Sequence, residues 1–141
     1  MQKQIIASVR EFNRFYTAIL GVVNDHILEG DHSLTEARII YELNSHQGIT
    51  AREIKEKLRV DEGYMSRIVN QFQKKGILRK KQSKEDKRVY LLELTLKGKR
   101  IAREINRQSD AQVENLVKHL SDKERERLVE LIVQVQKMLT P

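Results

Sequence analysis

The spacing of apolar residues along the chain predicts a mainly helical protein. From Ile5 to Leu28, apolar side chains recur at steps of three and four residues, which is the period of a long amphipathic helix. The same spacing predicts a second long helix from about Thr95 to Leu120 and a last helix that ends at Leu139. Long helices with apolar faces therefore flank a central segment of different character.

Capping signals divide the central segment into shorter helices. Residues 33–36 and 50–53 both have the Ser/Thr-x-x-Glu spacing of a capping box, and residues 121–124 repeat it before the last helix. Asp61 is suited to cap a further helix, and Gly76 is suited to end it. The helices that begin near residues 50 and 61 are short and joined by a tight turn, which is typical of a helix-turn-helix motif.

After this motif the spacing of apolar residues is no longer helical and becomes typical of strands. Residues 77–80 and 89–94 have the composition of strands, and the polar residues 81–88 between them predict a long hairpin loop. The expected fold class is mainly α with a small β-hairpin wing, that is, a winged helix-turn-helix core between long N- and C-terminal helices. These helices have enough apolar surface to need a partner, either across a two-fold homodimer or within a monomeric bundle.

Composition excludes several classes of protein. The 141 residues suffice for a single domain, which we expect over residues 1–141. The chain has no Cys, so thiol catalysis, thiol redox sensing, Cys-based zinc sites and iron-sulfur clusters are excluded. No apolar run approaches the roughly 20 residues that span a bilayer. We therefore expect a soluble, cytoplasmic protein.

The excess positive charge is local. The formal net charge is +7, and residues 61–107 carry 14 basic and 6 acidic side chains while the rest of the chain is nearly neutral. A block of this kind indicates a surface that faces a polyanion, although a solvated basic face is the alternative.

The helix that begins near residue 61 has an outer face suited to reading DNA. With Met65, Val69 and Phe72 inward, a step of 100° per residue turns Arg and Asn side chains outward. Arg matches the acceptors of guanine, Asn and Gln match adenine, and Lys matches phosphate. Any exposed helix can carry such residues, so the basic hairpin that follows strengthens the interpretation. The predicted recognition-helix residues are Gly63, Tyr64, Ser66, Arg67, Asn70, Gln71 and Lys74.

The hairpin supplies a second set of candidates. Arg88 lies two residues after Asp86, whose carboxylate could hold it for insertion into a narrow minor groove; an ordinary surface ion pair is the alternative. Thr50 and Arg52 are candidate phosphate contacts. The predicted wing residues are Arg79, Lys80, Lys81, Ser83, Lys84, Asp86, Lys87 and Arg88.

Together these segments resemble the MarR family of winged-helix regulators. The resemblance rests on Ser-Leu-Thr-Glu-Ala-Arg at residues 33–38, Gly-Tyr-Met-Ser-Arg-Ile-Val at 63–69, Asp86-x-Arg88, and Leu-Thr-x-x-Gly at 94–98. It implies a DNA-binding lobe over residues 33–98 and a helical dimerisation region over 1–30 and 99–141. It further implies a homodimer on a pseudo-palindromic double-stranded DNA operator, the helix over 61–75 in the major groove, Arg88 at the wing tip, and control by a small-molecule effector.

Other assignments remain open or have little support. Phe12, Phe15 and Tyr16 could line an effector pocket or only a core. A protein-protein interaction module and a membrane-surface protein are rival classes. No phosphate loop, nucleophile elbow or acid/base pair is present, so we expect no enzyme and no cofactor. Two groups have spacings that metal ligands could have, but we interpret their histidines as ordinary surface residues. The two groups are Glu42 with His46, and the set Asp25, His26, Glu29, Asp31 and His32.

Overall fold

A computed structural model of the protein describes residues 2–27 and 32–141, and it confirms the predicted fold class. The predicted helix end at Leu28 and region boundary at residue 30 lie outside the described residues. The elements are α1 (Gln2–Ile27), α2 (Leu34–Ser45), β1 (Ile49–Thr50), α3 (Ala51–Leu58), α4 (Glu62–Lys74), β2 (Leu78–Gln82), β3 (Tyr90–Leu94), α5 (Leu96–Val117) and α6 (Asp122–Leu139). The backbone forms two compact units, Met1–Gln108 and Ser109–Pro141.

The first unit has its core where the short helices meet the sheet. Ile39 of α2, Ile54 of α3 and Phe72 of α4 are fully buried, and Leu78 and Leu92 of the hairpin strands are nearly so. All belong to one apolar cluster. The apolar stripe of α4 is therefore fixed against the core, which determines the side of this helix that faces outward.

Helices α2, α3 and α4 each begin at a side-chain cap, at the positions that the sequence predicts. Ser33, Thr50 and Asp61 each accept a hydrogen bond, 3.1 Å long, from the backbone N–H three residues later. The reciprocal half of a capping box, however, is formed in this structure only at Ser121 and Glu124 among the described residues. The expected complete boxes at residues 33–36 and 50–53 are corrected to single hydroxyl caps.

At the first of these helix starts, the carboxylate has a different partner. Glu36 lies 3.2 Å from Nδ1 of His32, measured to its Oε2, and both side chains are largely buried. This contact occupies the group that a capping box would direct back to the Ser33 backbone.

The sheet has one more strand than the sequence indicated. The strand order is β1-β3-β2, and all neighbours are antiparallel. β1 has only two residues, too few to show an alternating pattern, so it was missed. β2 also continues to Gln82, which pairs with Tyr90, so the loop of the wing spans residues 83–89 rather than 81–88. Polar residues can form this strand because β2 lies at the edge of the sheet, where one side of the strand faces water.

The start of α5 is bonded to the end of α4. Gly76 has a φ of 70°, the left-handed conformation that commonly ends a helix. The hydroxyl of Thr95 donates to the carbonyls of Gly76 and Ile77 and accepts the backbone N–H of Gly98 at 3.1 Å. Nζ of Lys97 donates to the carbonyl of Lys75 at 2.7 Å. These bonds hold the end of α4 to the start of α5.

The second unit contains the end of α5 and all of α6. Ser121 and Glu124 form the reciprocal capping box at the start of α6, and the guanidinium of Arg125 donates to the carbonyls of Val117 and Lys118. No side chain of α6 is buried, although the helix carries many large apolar residues.

Candidate nucleic-acid interface

The outward face of α4 carries the polar residues that its period predicts. Met65, Ile68, Val69 and Phe72 are buried, and every other position of the helix except Tyr64 is exposed to solvent. Tyr64 is half-buried and packs against the core. The exposed members of the predicted set are Gly63, Ser66, Arg67, Asn70, Gln71 and Lys74.

Gly63 fits the cap at the start of α4. A Cβ at this position would lie 3.1 Å from Oδ2 of Asp61, the oxygen that accepts the backbone N–H of Tyr64. Glycine therefore leaves space for the capping carboxylate, in addition to keeping the entrance of the helix narrow.

A cleft of about 760 Å³ separates α4 from the wing. Met65, Val69 and Leu92 form its apolar floor. Polar residues of the predicted site come together around it from three separate elements. They are Thr50 and Arg52 from the start of α3, Ser66 and Asn70 from α4, and Lys80 and Arg88 from the wing.

The charge around the cleft is unevenly distributed. Glu53, Glu56 and Glu62 line it on the side of the helices together with Lys55, and the guanidinium Nε of Arg52 donates to Oε1 of Glu56 at 3.2 Å. Lys80 and Arg88 line it on the side of the wing. The wing side is therefore the more attractive one for an anion.

Arg88 is held by Asp86 as the sequence suggested. Its Nε donates to Oδ1 at 3.2 Å and its Nη2 to Oδ2 at 3.3 Å, while its backbone N–H donates to Oδ1 at 3.0 Å. The Arg88 side-chain hydrogen bonds, and next its backbone N–H, hold the pKa of Asp86 below its ordinary value. The Arg88 side chain remains 91% exposed, so this pairing orients it without removing it from solvent.

The loop of the wing is ordered by its own backbone. The N–H of Ser83 donates to the carbonyl of Val89 at 2.9 Å, and the N–H of Val89 donates to the carbonyl of Asp86 at 3.0 Å. The Gln82 amide donates to the carbonyl of Lys87 at 2.8 Å. The exposed residues Lys84 and Lys87 therefore project from a defined loop.

Strand alternation divides the basic residues of β2 into two groups. Lys80 is opposite the buried Leu92 and lines the cleft. Arg79 and Lys81 point to the other face of the sheet, because successive side chains alternate. Nη2 of Arg79 also lies 3.1 Å from Oε2 of Glu93. The adjacent wing residues Arg79, Lys80 and Lys81 therefore have different surroundings, although the sequence suggests the same role for all three.

Sequence reasoning did not identify the acidic partners Glu56 and Glu93. The signal for Glu56 was available, since it lies four residues after Arg52 on the same helix. Glu93 is directly opposite Arg79 in the antiparallel register, so finding it required the register.

The aromatic residues proposed for an effector pocket lie on α1. Phe12 and Tyr16 stack with ring centroids 5.8 Å apart. Phe12, Phe15 and Tyr16 are all about half-exposed, and none lines the cleft beside α4.

Of the two groups of metal candidates, the structure describes Glu42 with His46 completely. Oε2 of Glu42 accepts a hydrogen bond from Nζ of Lys57 at 2.8 Å and lies 3.5 Å from Nδ1 of His46. Asp25, His26, Glu29 and Asp31 lie outside the residues whose side chains are described. In the part of the chain that the structure does describe, no three His, Asp or Glu side chains converge as metal ligands. Within that same part, no helix is long and apolar enough to cross a membrane.

The fold and this surface define a winged helix-turn-helix protein with a basic face beside its recognition helix. Comparison with known proteins agrees. Residues 33–90 match the sequence model described as the MarR family. The resemblance to this family seen in the sequence is thereby confirmed.

Relatives and solved structures extend the similarity beyond the lobe. The chain is 27% identical to the HTH-type transcriptional regulator MhqR of Bacillus subtilis, over 87% of this chain and 85% of that protein. It is 26% identical to the HTH-type transcriptional regulator BilQ of Clostridium symbiosum, over 70% of this chain and 68% of the relative.

Two solved structures show the same fold. A mutant of MarR from E. coli has a TM-score of 0.79 at 23% identity, covering 90% of this chain and 94% of that one. Streptococcus pneumoniae FabT in complex with DNA also has a TM-score of 0.79, at 25% identity, covering 93% and 96%.

Proposed function

We propose that this protein is a cytoplasmic transcriptional regulator, not an enzyme, that binds a pseudo-palindromic double-stranded DNA operator as a homodimer. The observation that carries the proposal is the convergence of Ser66, Asn70, Lys80 and Arg88 around one cleft beside the exposed face of α4. The solved complexes of FabT with DNA and of a MarR mutant with operator DNA support it.

The geometry suits the surface of a duplex. When α4 enters the major groove, Arg67 and Asn70 face base edges, and the wing reaches the adjacent minor groove. The phosphate backbone between the two grooves then crosses the cleft. Lys80 on the wing side meets it, together with Thr50 and Arg52 at the start of α3, while Arg88 at the wing tip enters the minor groove.

Exposed apolar side chains support the homodimer. Six large apolar residues of α1, between Ile5 and Tyr16, are 47% to 61% exposed, and α6 carries a further set between Val129 and Leu139. Contiguous apolar faces of this extent mark association surfaces. A second copy of the chain would cover them, and its two-fold symmetry would match two half-sites about 10 base pairs apart.

We also propose that a small-molecule effector controls DNA binding and that the protein is a repressor. Both follow from the family rather than from a particular contact. Phe12, Phe15 and Tyr16 stay our candidates for an effector pocket, completed at the interface of the dimer.

Selection of preferred duplexes from a random pool tests the proposal. We expect a two-fold symmetric consensus with half-sites separated by about one helical turn. Loss of all preference over random DNA would contradict it and would favour a protein-protein interaction module. An asymmetric single half-site would contradict the homodimer.

Variants then separate base contacts from phosphate contacts. Arg67→Ala and Asn70→Ala should each reduce discrimination between bases by about 1–3 kcal/mol at one position of the half-site. Lys80→Ala should weaken binding to all duplexes alike and reduce the slope of log K against log salt by about one. Lys81→Ala is the matched control, because the residue has the same charge but lies on the other face of β2; its effect should be smaller.

A further inference from the structure

The guanidinium of Arg67 lies over an aromatic ring. Its Cζ is 5.8 Å from the centroid of the Tyr64 ring. Residues three apart on a helix are neighbours on its surface, so the contact is local to α4. At this distance a cation is attracted by the negative face of the ring.

The ring is a fixed support. Tyr64 is half-buried, and it packs against the apolar core of the first unit. Its backbone N–H donates to the capping carboxylate of Asp61 at 3.1 Å. The residue is thus anchored at its backbone and at its ring, in the first turn of a helix that is itself packed through Met65 and Ile68.

Arg67, in contrast, has no competing partner among the side chains that the structure describes. Arg52, Arg79 and Arg88 each pair with a carboxylate, whereas Arg67 forms no ion pair or side-chain hydrogen bond with any of those described residues. Its five N–H donors are therefore available to a ligand. This is the state required to donate two hydrogen bonds to one base.

We infer that Tyr64 is a specificity-determining positioning residue, whose ring orients Arg67 for bidentate recognition of a guanine. A free Arg side chain loses considerable rotamer entropy when it is fixed on a base, and an arginine oriented before binding loses less. The inference rests on the proposed function, because it requires a DNA site that Arg67 reads.

Two substitutions distinguish the effect of the Tyr64 ring from the effect of its hydroxyl group. Tyr64→Phe keeps the ring, so we expect base preference at the position read by Arg67 to be retained. Tyr64→Leu keeps apolar volume but removes the π face, so that preference should fall by about two- to fivefold. Arg67→Ala should reduce it further, by about five- to 150-fold. Competition between duplexes that differ at this base pair gives these ratios.

A double variant shows whether Tyr64 acts through Arg67. In the Arg67→Ala background, Tyr64→Leu should have no further effect on base preference, because the group that the ring orients is gone. The slope of affinity against salt should be unchanged by Tyr64→Leu, since no phosphate contact is lost.

Three results would overturn the inference. In the first, Tyr64→Leu leaves base preference unchanged. In the second, Tyr64→Leu lowers base preference as much in the Arg67→Ala background as in the wild-type protein. In the third, Tyr64→Phe lowers base preference as much as Tyr64→Leu does, which would indicate a contact through the hydroxyl. If Tyr64→Leu lowers the unfolding midpoint, pentafluorophenylalanine at position 64 reverses the polarity of the ring at nearly constant shape and should give the same loss. A wild-type protein without any base preference would instead contradict the proposed function.

Discussion

Gly98 occupies a position where the structure leaves no room for a side chain. A Cβ would lie 2.1 Å from the carbonyl oxygen of Ile77 and 3.0 Å from Cδ2 of Leu94. The oxygen belongs to backbone that is already bonded to Thr95, so it cannot move without breaking the junction between α4 and α5. The Gly of the Leu-Thr-x-x-Gly motif is therefore required by close packing.

We predict that Gly98→Ala lowers the free energy of unfolding by about 1–3 kcal/mol or more, because it overpacks this junction. Gly63→Ala is the control. Its new Cβ would contact only the flexible Asp61 carboxylate, and the helix propensity of Ala opposes that cost, so the change should stay below about 1 kcal/mol. Chemical denaturation of both variants measures the difference. Equal effects would show that the packing at Ile77 is not tight.

The pKa of Asp86 offers a second test at the scale of a residue. Because the side chain of Arg88, and then its backbone N–H, lower this pKa in the folded protein, the carboxylate stabilises the wing above the pKa it has when unfolded. That contribution is lost as pH falls through the lowered value. We expect NMR titration to show Asp86 ionising below its ordinary pKa.

Arg88→Ala should raise the pKa of Asp86 toward its ordinary value. The rise should be incomplete, since the backbone N–H of residue 88 still donates to the carboxylate. An unchanged pKa for Asp86 in the variant would contradict the pairing.

An ion pair joins helices α2 and α3, and its acidic partner is buried. Glu42 of α2 is only 6% exposed, and its carboxylate accepts the hydrogen bond of Lys57 from α3 at 2.8 Å. An ionised group in this environment is costly unless it is paired. The ion pair thus fixes the first helix of the helix-turn-helix relative to α2.

We predict that Lys57→Ala lowers the free energy of unfolding by about 1.5–3 kcal/mol, because the buried carboxylate loses its charge-assisted hydrogen bond. Arg52→Ala on the same helix removes an ion pair whose partners are both exposed, and it should cost less than about 1 kcal/mol. Urea denaturation gives both values. A cost for Lys57→Ala no greater than that for Arg52→Ala would refute the role of the pair.

At the scale of the whole molecule, the exposed apolar residues of α1 predict self-association. Val9 and Phe12 are 47% and 49% exposed and lie on a helix that carries four more such residues. The double variant Val9→Asp/Phe12→Asp places two charges on this surface. We expect it to sediment as a monomer and to lose preference for paired half-sites.

Tyr41→Asp is the matched control for this experiment. Tyr41 is 56% exposed, but it is the single exposed large apolar side chain in α2. Its replacement should leave the dimer intact, because isolated apolar residues on a surface are common and need no partner. A wild-type protein that sediments as a monomer, or a double variant that stays dimeric, would contradict the assignment of this surface.

The sequence by itself determined the type and order of the helices, the hairpin and the outward face of α4. These features repeat at short range, with caps at fixed offsets and a stripe of apolar residues at the helical period, so neighbouring residues suffice to specify them. The Asp86 and Arg88 pair was predictable for the same reason, since the two residues are two positions apart.

The tertiary structure alone decided which basic residues are paired with carboxylates and which face the cleft beside α4. Arg79 is paired with Glu93 across 14 positions, and Lys57 with Glu42 across 15. The face on which Lys80 lies depends on its register against Leu92. Charge counted along the chain treats these cations as equivalent. Their differences come from partners and strand registers that only folding brings together, since Coulomb interactions and hydrogen bonds act through space and not along the sequence.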